Sequence, residues 1–196
     1  MSLFPHIKFI LGAAQPKQFP EDIGAEVAIA GRSNAGKSSA INAIVARQSL
    51  ARSSKTPGRT QQINFFELVP GQRLVDLPGY GYAKVPVNMR QHWGALLTSY
   101  FNQRSCLGGA IVVMDSRHPL TDIDKQMLDL AASRSLPIHI LLTKSDKLSR
   151  SVAMKTLADV RKQLNEAATV QLFSATAKTG VDEAREVMKS MLKPRQ

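Results

Sequence analysis

The chain has 196 residues, of which 43% are hydrophobic, and a formal net charge of +11. This length suits one α/β domain with a full core and is short for two. The hydrophobic content excludes wholesale disorder. The charge excess predicts a large anionic partner such as RNA or an acidic membrane surface.

Cysteine content and hydropathy bear on the compartment. Cys106 is the only cysteine, so no intramolecular disulfide can form, which fits a reducing cytosol. No apolar run approaches the roughly 20 residues needed to cross a bilayer. The apolar segment 7–14 contains Lys8 and follows no cationic region, which argues against a signal peptide. We expect a cytoplasmic protein without a membrane span.

Strands and helices alternate along the chain. Residues 1–25 form a lead-in, a strand or helix packed on or near the domain, and 26–193 form a single domain. Apolar runs and alternating patterns predict strands at 26–31, 62–69, 73–76, 110–115, 138–143 and 170–173. Helical spacing predicts helices at 38–46, 88–104, 121–134, 151–167 and 181–192. This alternation predicts an α/β fold with a mostly parallel sheet of about six strands and helices on both faces.

Two details refine this pattern. Pro70 and Gly71 form a turn between the strands 62–69 and 73–76, so these two look like a hairpin. In the helix 88–104, large side chains recur at helical spacing and are expected in the core rather than as a base-stacking platform; they are Trp93, Leu96, Leu97, Tyr100 and Phe101.

A glycine-containing turn lies between the first predicted core strand and its helix. Its sequence matches G-x-x-x-x-G-K-[ST], the pattern of a loop whose backbone N–H groups surround phosphates at a helix N-terminus. The lysine would reach the β- and γ-phosphates, and the serine hydroxyl would ligate Mg²⁺. The phosphate loop comprises Gly31, Arg32, Ser33, Asn34, Ala35, Gly36, Lys37 and Ser38. ATPases, GTPases and kinases share this loop, so it leaves the base open.

The strand 73–76 ends in an Asp-x-x-Gly sequence. Asp76 can hold Mg²⁺, directly or through water, and the Gly79 N–H can face the γ-phosphate, with Leu77 and Pro78 between them. Alone, such a sequence is more often an ordinary turn. Its place at a strand end after a phosphate loop favours the functional interpretation.

The segment 49–60 is rich in Ser, Thr, Lys, Arg, Pro and Gly and predicts a mobile loop. A threonine in such a loop can coordinate Mg²⁺ and bond the γ-phosphate only while GTP is present, which gives an order–disorder switch. We prefer Thr60, which precedes the strand 62–69, over Thr56, a turn residue before proline. Lys37, Thr60 and Gly79 are the candidate catalytic residues.

The base is indicated by Thr143, Lys144, Ser145 and Asp146, which end the strand 138–143. An aspartate can accept hydrogen bonds from guanine N1–H and the exocyclic amine, which adenine cannot match, and this discriminates strongly. The Lys144 stem can lie over the base. After the last strand, Ser174 and Ala175 could supply a backbone N–H to guanine O6, and Phe173, which ends that strand, is a further candidate site residue. The sequence predicts that the domain binds GTP.

The constellation resembles the TRAFAC-class GTPases, and closely the bacterial EngB (YihA/YsxC) family of ribosome-biogenesis GTPases, from about residue 8 to 192. The resemblance rests on the phosphate loop and on the stretches Ser54-Lys-Thr-Pro-Gly-Arg-Thr-Gln61, Ile63-Asn-Phe-Phe66, Asp76-Leu-Pro-Gly-Tyr-Gly-Tyr-Ala-Lys84 and Asp115-Ser-Arg-His118.

The resemblance implies a Ras-like fold with the strand 62–69 antiparallel, and a role in assembling the large ribosomal subunit, with a link to the cell cycle and septation. It implies GTP and GDP as ligands, Mg²⁺ held by Ser38, Asp76 and Thr60, and Gly58 and Arg59 near the nucleotide. We further expect a monomer and no DNA partner.

Three positions near the predicted γ-phosphate site bear on hydrolysis, and two of them, Asn34 and Arg59, are open to two interpretations. Tyr80 follows Gly79 where Ras-like GTPases carry a water-positioning glutamine, so intrinsic hydrolysis should be slow. Asn34 matches a position that helps bind K⁺ in related GTPases, and equally suits a turn with unusual backbone angles. Arg59 could act in cis on the γ-phosphate, although a solvated loop arginine is the commoner role.

Basic residues are unevenly distributed. No acidic residue lies between Glu26 and Glu67, and the C-terminal helices add further cations. Apart from Lys37 of the phosphate loop, the cations of the first stretch are Arg32, Arg47, Arg52, Lys55 and Arg59, and those of the C-terminal helices are Lys155, Arg161, Lys162, Arg185, Lys189, Lys193 and Arg195. Such residues would bind RNA phosphates with little sequence preference. The hypothesis is that GTP orders a basic loop for contact with rRNA in large-subunit precursors, and the alternative is scattered solubilising charge.

Two other classes of protein share parts of this pattern. A P-loop kinase would need an acceptor or lid region, which is not evident, and the Thr143–Asp146 segment argues against it. A non-enzymatic RNA-binding protein with a vestigial nucleotide fold would not need Lys37, Ser38 and Asp76 intact.

Overall fold

In the computed structural model, the described residues are 4–51, 62–81 and 87–193, with backbone only at 87–90. They contain seven strands and five α-helices. The strands are β1 (Lys8–Ala13), β2 (Ala25–Gly31), β3 (Ile63–Val69), β4 (Gln72–Asp76), β5 (Leu107–Asp115), β6 (Ile138–Thr143) and β7 (Thr169–Leu172). The helices are α1 (Lys37–Ile44), α2 (Val87–Gln103), α3 (Asp122–Ala132), α4 (Arg150–Leu164) and α5 (Val181–Met191).

All seven strands form one sheet in the order β1-β3-β4-β2-β5-β6-β7. Strand β2 pairs in parallel with β4 and β5, and β6 pairs in parallel with β5 and β7. Strand β3 is antiparallel to β4, as the hairpin pattern predicts, and β1 is antiparallel to β3. The mostly parallel sheet is therefore confirmed. The seventh strand comes from the lead-in, where β1 satisfies the backbone groups that would otherwise leave β3 as an open edge.

The observed elements begin or end within three residues of the predicted ones. Two differences reach three residues: α4 ends at Leu164 rather than at 167, and β5 begins at Leu107 rather than at 110, where two glycines interrupt the apolar run. Gly108 allows a close approach: a Cβ placed there would lie 1.9 Å from the carbonyl oxygen of Met191 at the end of α5. These glycines belong to the strand because a helix packs directly against its backbone.

Helices cover both faces of the sheet, as predicted. On one face, buried side chains of α2, α3 and α4 form a single core that includes Tyr100, Met127 and Leu157. On the other face, α1 and α5 pack together through residues such as Ile41 and Met188. The five large side chains predicted to line the core face of α2 are all buried.

A buried ionic cluster joins the lead-in to the domain. Glu26 at the start of β2 is fully buried, and its Oε1 accepts from Arg73 Nε at 2.8 Å and from an Arg104 terminal nitrogen at 2.6 Å. Its Oε2 accepts from the Tyr100 hydroxyl at 3.1 Å. Arg104 also donates to the Pro20 carbonyl at 2.7 Å. The carboxylate is fully hydrogen-bonded and neutralised, which offsets the cost of burying it.

We expect Glu26→Gln to lower the free energy of unfolding by about 3–5 kcal/mol, because it removes the buried carboxylate that pairs with both Arg73 and Arg104 and leaves only the more distant Asp22 beside Arg104. Urea titration followed by circular dichroism measures this. The control is Glu67→Gln, which removes an ion pair to Lys8 whose side chain is 68% exposed, and it should cost about 0–1 kcal/mol. Equal losses in the free energy of unfolding for the two substitutions would contradict the role of Glu26 as the buried carboxylate that stabilises this cluster.

Candidate functional site

The phosphate loop joins the end of β2 to the start of α1. Asn34 and Gly36 have left-handed backbone angles, with φ of 63° and 94°. Glycine adopts this conformation without strain and asparagine tolerates it. Asn34 therefore has the unusual backbone angles that the turn interpretation predicts. The amide groups of Asn34, Gly36, Lys37 and Ser38 make no hydrogen bond to another described residue. They remain available to an anion at the N-terminus of α1.

Lys37 and Asp76 meet across the two neighbouring strands β2 and β4. Residue Ile29 of β2 pairs with Asp76, so the end of β4 lies beside the phosphate loop. The Lys37 ammonium donates to Asp76 Oδ1, and the two side chains are only 12% and 11% exposed. Ser38 follows directly in the first turn of α1. A carboxylate and a hydroxyl beside a phosphate site are oxygen donors of the kind Mg²⁺ prefers, so these residues fit the ion.

The Asp-x-x-Gly segment runs from β4 along the phosphate loop. Leu77 and Pro78 are buried, and the Ser33 amide donates to the Tyr80 carbonyl at 2.8 Å. The Tyr80 side chain is buried and its hydroxyl donates to Asp124 of α3 at 3.1 Å. Burial, with the neighbouring Asp124 carboxylate, raises the pKa of Tyr80 well above its usual range. The phenol stays neutral and bonded to α3.

The segment predicted to select the base begins at the end of β6. The Thr143 hydroxyl donates to the Ala35 carbonyl of the phosphate loop and lies 3.0 Å from the Met114 carbonyl. The Ser145 hydroxyl donates to the Phe173 carbonyl at 3.0 Å. The Phe173 side chain itself is fully buried, so this residue reaches the site through its backbone. Thr143 and Ser145 thus tie the segment to its neighbours.

Asp146 is held by the loop after β7. Its Oδ1 accepts from the Ser174 hydroxyl at 2.6 Å, and this bond is the main reason that the pKa of Asp146 lies below its usual value. The carboxylate is therefore ionised at neutral pH. The Ser174 amide is already bonded to the Thr179 carbonyl at 3.0 Å, whereas the Ala175 amide has no hydrogen-bond partner among the described residues. Of the two backbone groups predicted to face guanine O6, Ala175 is the available one.

These segments enclose a cavity of about 230 Å³. Gly36 of the phosphate loop, Lys144 and Asp146 after β6, and Ala175 after β7 all line it. The first and last of these residues, Gly36 and Ala175, are more than a hundred residues apart in sequence. The structure brings the predicted base-selecting and phosphate-binding segments together at the carboxyl ends of parallel strands, where open α/β sheets bind ligands.

Asp115 and Arg117 were not predicted as site residues. Asp115, the last residue of β5, accepts two hydrogen bonds from the Arg117 guanidinium, at 2.9 and 2.7 Å. It also accepts one from Lys144 Nζ at 2.9 Å, and Lys144 Nζ donates to the Asn34 carbonyl at 2.6 Å. The Arg117 bonds, with those of Lys144, hold the pKa of Asp115 well below its usual range. A charged residue ending an otherwise apolar strand is the signal that could have identified it.

The part of the predicted site that belongs to the loop 49–60 falls almost wholly outside the described residues. Thr56, Gly58, Arg59 and Thr60, with the basic residues Arg52 and Lys55, lie outside the described residues. Within the parts of the chain that are described, no helix combines the length and apolar character needed to span a bilayer.

The fold and these segments define the class of P-loop GTPases. A family model described as "50S ribosome-binding GTPase" matches residues 26–144, more than half of the chain. The match runs from the start of β2 to Lys144 and so includes the phosphate loop and Asp76.

Relatives from several bacteria agree over nearly the full length. The chain is 56% identical over 190 residues to the "Probable GTP-binding protein EngB" of Stenotrophomonas maltophilia, covering 95% of each chain. It is 53% identical over 188 residues to the protein of the same name from Coxiella burnetii, covering 94% of this chain and 92% of that one. The chain belongs to the EngB family of GTP-binding proteins.

Solved structures support the fold alone, because their sequence identities are low. A crystal structure of a probable GTP-binding protein EngB superimposes with a TM-score of 0.71 at 19% identity, covering 87% of this chain and 100% of that chain. The Era protein of Aquifex aeolicus, bound to GDP and aluminium fluoride, gives a TM-score of 0.68 at 16% identity, covering 89% of this chain and 58% of that chain. The Ras-like fold is confirmed.

We expect Asp115→Asn to weaken GDP binding by about tenfold, since a hydrogen bond to a charged group contributes about 1.5–3 kcal/mol. The substitution removes the charge that holds the Lys144 ammonium, whose stem is predicted to lie over the base. Because Lys144 would contact the base plane and not its edge, GDP and inosine diphosphate should lose affinity by the same factor. Fluorescent nucleotide titration measures both. Asp129→Asn, an exposed change on α3, is the control, and unchanged affinity in Asp115→Asn would rule out this role.

Proposed function

We propose that this protein binds GTP with Mg²⁺ and hydrolyses it to GDP, acting as a nucleotide-dependent switch in assembly of the large ribosomal subunit in the cytoplasm. The observation that carries the nucleotide part is the cavity that Gly36, Asp146 and Ala175 line together. The ribosomal part is supported by the description of the family model that matches residues 26–144 and by the charge of +11.

Guanine recognition follows from the state of Asp146. An ionised carboxylate, oriented by Ser174, can accept from guanine N1–H and the exocyclic amine at once. The Ala175 amide can donate to guanine O6, and the Lys144 stem can cover the base. Adenine offers a hydrogen-bond acceptor where guanine offers N1–H, so it would leave the carboxylate unmatched.

Phosphate binding would exchange the partners of Lys37. In the structure, the Lys37 ammonium pairs with Asp76. With GTP, Lys37 would turn to the β- and γ-phosphates, while the free amides at the start of α1 would donate to phosphate oxygens. Ser38 and Asp76, joined by Thr60, would hold Mg²⁺. The ion supplies positive charge that offsets the charge developing on the phosphates in the transition state.

Hydrolysis should be slow without a partner. The Tyr80 hydroxyl is bonded to Asp124, 3.1 Å away, and burial keeps it neutral, so Tyr80 cannot act as a base. The remaining positive charge could come from K⁺ near Asn34 or from Arg59 in cis. The Gly79 amide would bond the γ-phosphate and so couple the segment after Gly79 to the nucleotide. Thr60 would couple the basic loop 49–60 in the same way. Hydrolysis would therefore change the surface that contacts rRNA.

We expect Asp146→Asn to lower affinity for GDP at least about a hundredfold and to raise affinity for xanthosine diphosphate. The reason is that xanthine carries a carbonyl where guanine carries an amine, and an asparagine amide can donate to it. Competition titrations against labelled GDP measure both affinities. Asp159→Asn, an exposed change on α4, is the matched control. Guanine preference that survives Asp146→Asn would refute the base assignment.

Sedimentation with large ribosomal subunits tests the switch. We expect a non-hydrolysable GTP analogue to increase co-sedimentation about tenfold over GDP, and subunits to accelerate hydrolysis.

The acceleration of hydrolysis by subunits should be larger in K⁺ than in Na⁺ if Asn34 contributes to an ion site. Chelation of Mg²⁺ should abolish turnover. Equal association with both nucleotides at several salt concentrations would remove the switch from the proposal while leaving GTP binding in place.

A further inference from the structure

The outward face of α4 carries an excess of positive charge. The helix contains four cations, Arg150, Lys155, Arg161 and Lys162, and one acid, Asp159. All five side chains are exposed. None of the four cations forms a salt bridge with another described residue, and the one hydrogen bond seen is from Arg161 to the Val170 carbonyl at 3.4 Å. The charge of this face is therefore not neutralised within the described protein.

The other described C-terminal helices differ. In α5, the two cations are paired one turn away, Arg185 with Asp182 and Lys189 with Glu186, both at 2.7 Å. Helix α3 carries a single cation, Lys125, together with three acids. Charge spread only for solubility would not leave one helix basic and its neighbours acidic or balanced. The contrast points to a function for the surface of α4.

This basic face is held in a fixed position. Ala153, Leu157 and Val160 are buried against the sheet, and the Ser149 hydroxyl caps the first turn by accepting from the Val152 amide at 3.4 Å. The helix begins four residues after Asp146, beyond a short 3-10 turn. It therefore sits next to the base-binding segment. Helix α4 packs against β7, which lies four strands along the sheet from β4, the strand that Asp76 ends and Gly79 follows. It is therefore remote from the two residues that would sense the γ-phosphate.

The surface chemistry favours RNA over a membrane. A helix that lies in a membrane interface needs a continuous apolar face, usually with aromatic residues. The apolar side of α4 is used for packing, and of its large apolar side chains only Val152 and Met154, 48% and 53% exposed, remain among the cations. Two isolated apolar side chains can contact ribose or base surfaces but do not form an insertion face. Unpaired Lys and Arg side chains along about 18 Å of helix can contact several phosphates.

We propose that the outer face of α4, formed by Arg150, Lys155, Arg161 and Lys162, is an RNA-binding surface whose affinity is independent of the bound nucleotide. It rests on the proposed function for its partner, structured RNA of the large subunit. It differs from the basic loop 49–60, which would respond to GTP. The α4 face holds the protein on RNA throughout the cycle, and the loop adds or removes contacts as GTP is hydrolysed.

The test is charge reversal, Lys155→Glu with Lys162→Glu, in the full chain. Filter binding uses a labelled transcript of large-subunit rRNA at several salt concentrations, with GDP and with a GTP analogue. We expect affinity to fall at least about tenfold with either nucleotide. The slope of log K against log salt should shrink by about 1.4–1.8, the contribution of two phosphate contacts. GDP affinity should not change.

The matched control is Lys17→Glu with Lys125→Glu, two exposed cations elsewhere that change the net charge equally. It should alter RNA affinity less than about twofold. An equal loss in the control, a loss confined to the GTP analogue, or binding to phosphatidylserine vesicles but not to RNA would overturn the proposal. GTP hydrolysis measured on the same samples separates the two proposals. RNA binding through α4 without turnover would overturn the proposed GTPase switch and leave this inference standing.

Discussion

The parallel pairing of β2 with β4 and β5 is the constraint on which the site depends. It places the phosphate loop after β2 between Asp76, which ends β4, and Asp115, which ends β5. Strand β6 then brings Thr143 level with Asp115. Because parallel strands all end at the same edge, groups far apart in sequence meet there without any further device. The cation of Lys144 joins β5, β6 and the phosphate loop through Asp115 and Asn34.

Charged and polar groups are hydrogen-bonded to different extents at the two ends of the sheet. At the amino end of β2, Glu26 is enclosed by Arg73, Arg104 and Tyr100 and has every bond it can use. At the carboxyl end, Lys37 and Asp76 pair with each other, but four amides of the phosphate loop, those of Asn34, Gly36, Lys37 and Ser38, have no partner among the described residues. The Glu26 cluster, whose polar groups are already hydrogen-bonded, stabilises the fold and has no free donor or acceptor for a ligand. An unsaturated one is where an anion can bind at little cost.

Local signals predicted most of the fold. The apolar runs at 26–31 and 138–143 are buried parallel strands, and the hairpin at Pro70 and Gly71 gives the antiparallel strand. Element ends were less predictable because they depend on contacts. The glycines before residue 110 read as an interruption, yet they belong to β5 because α5 packs on them. The pairing of 8–13 with β3 could not be read from a segment whose pattern suits either a strand or a helix.

Short motifs in the sequence predicted the chemistry: a loop for phosphates, an aspartate after a strand for the ion, and an aspartate after another strand for the base. Only the tertiary structure decided how those groups are oriented. It showed that Ser174 orients Asp146, that Ala175 rather than Ser174 has a free amide, and that Asp115 links Lys144 to the phosphate loop. The physical reason is that a motif specifies which atoms can bond, whereas their partners lie on other strands, and the sheet register sets which of them meet.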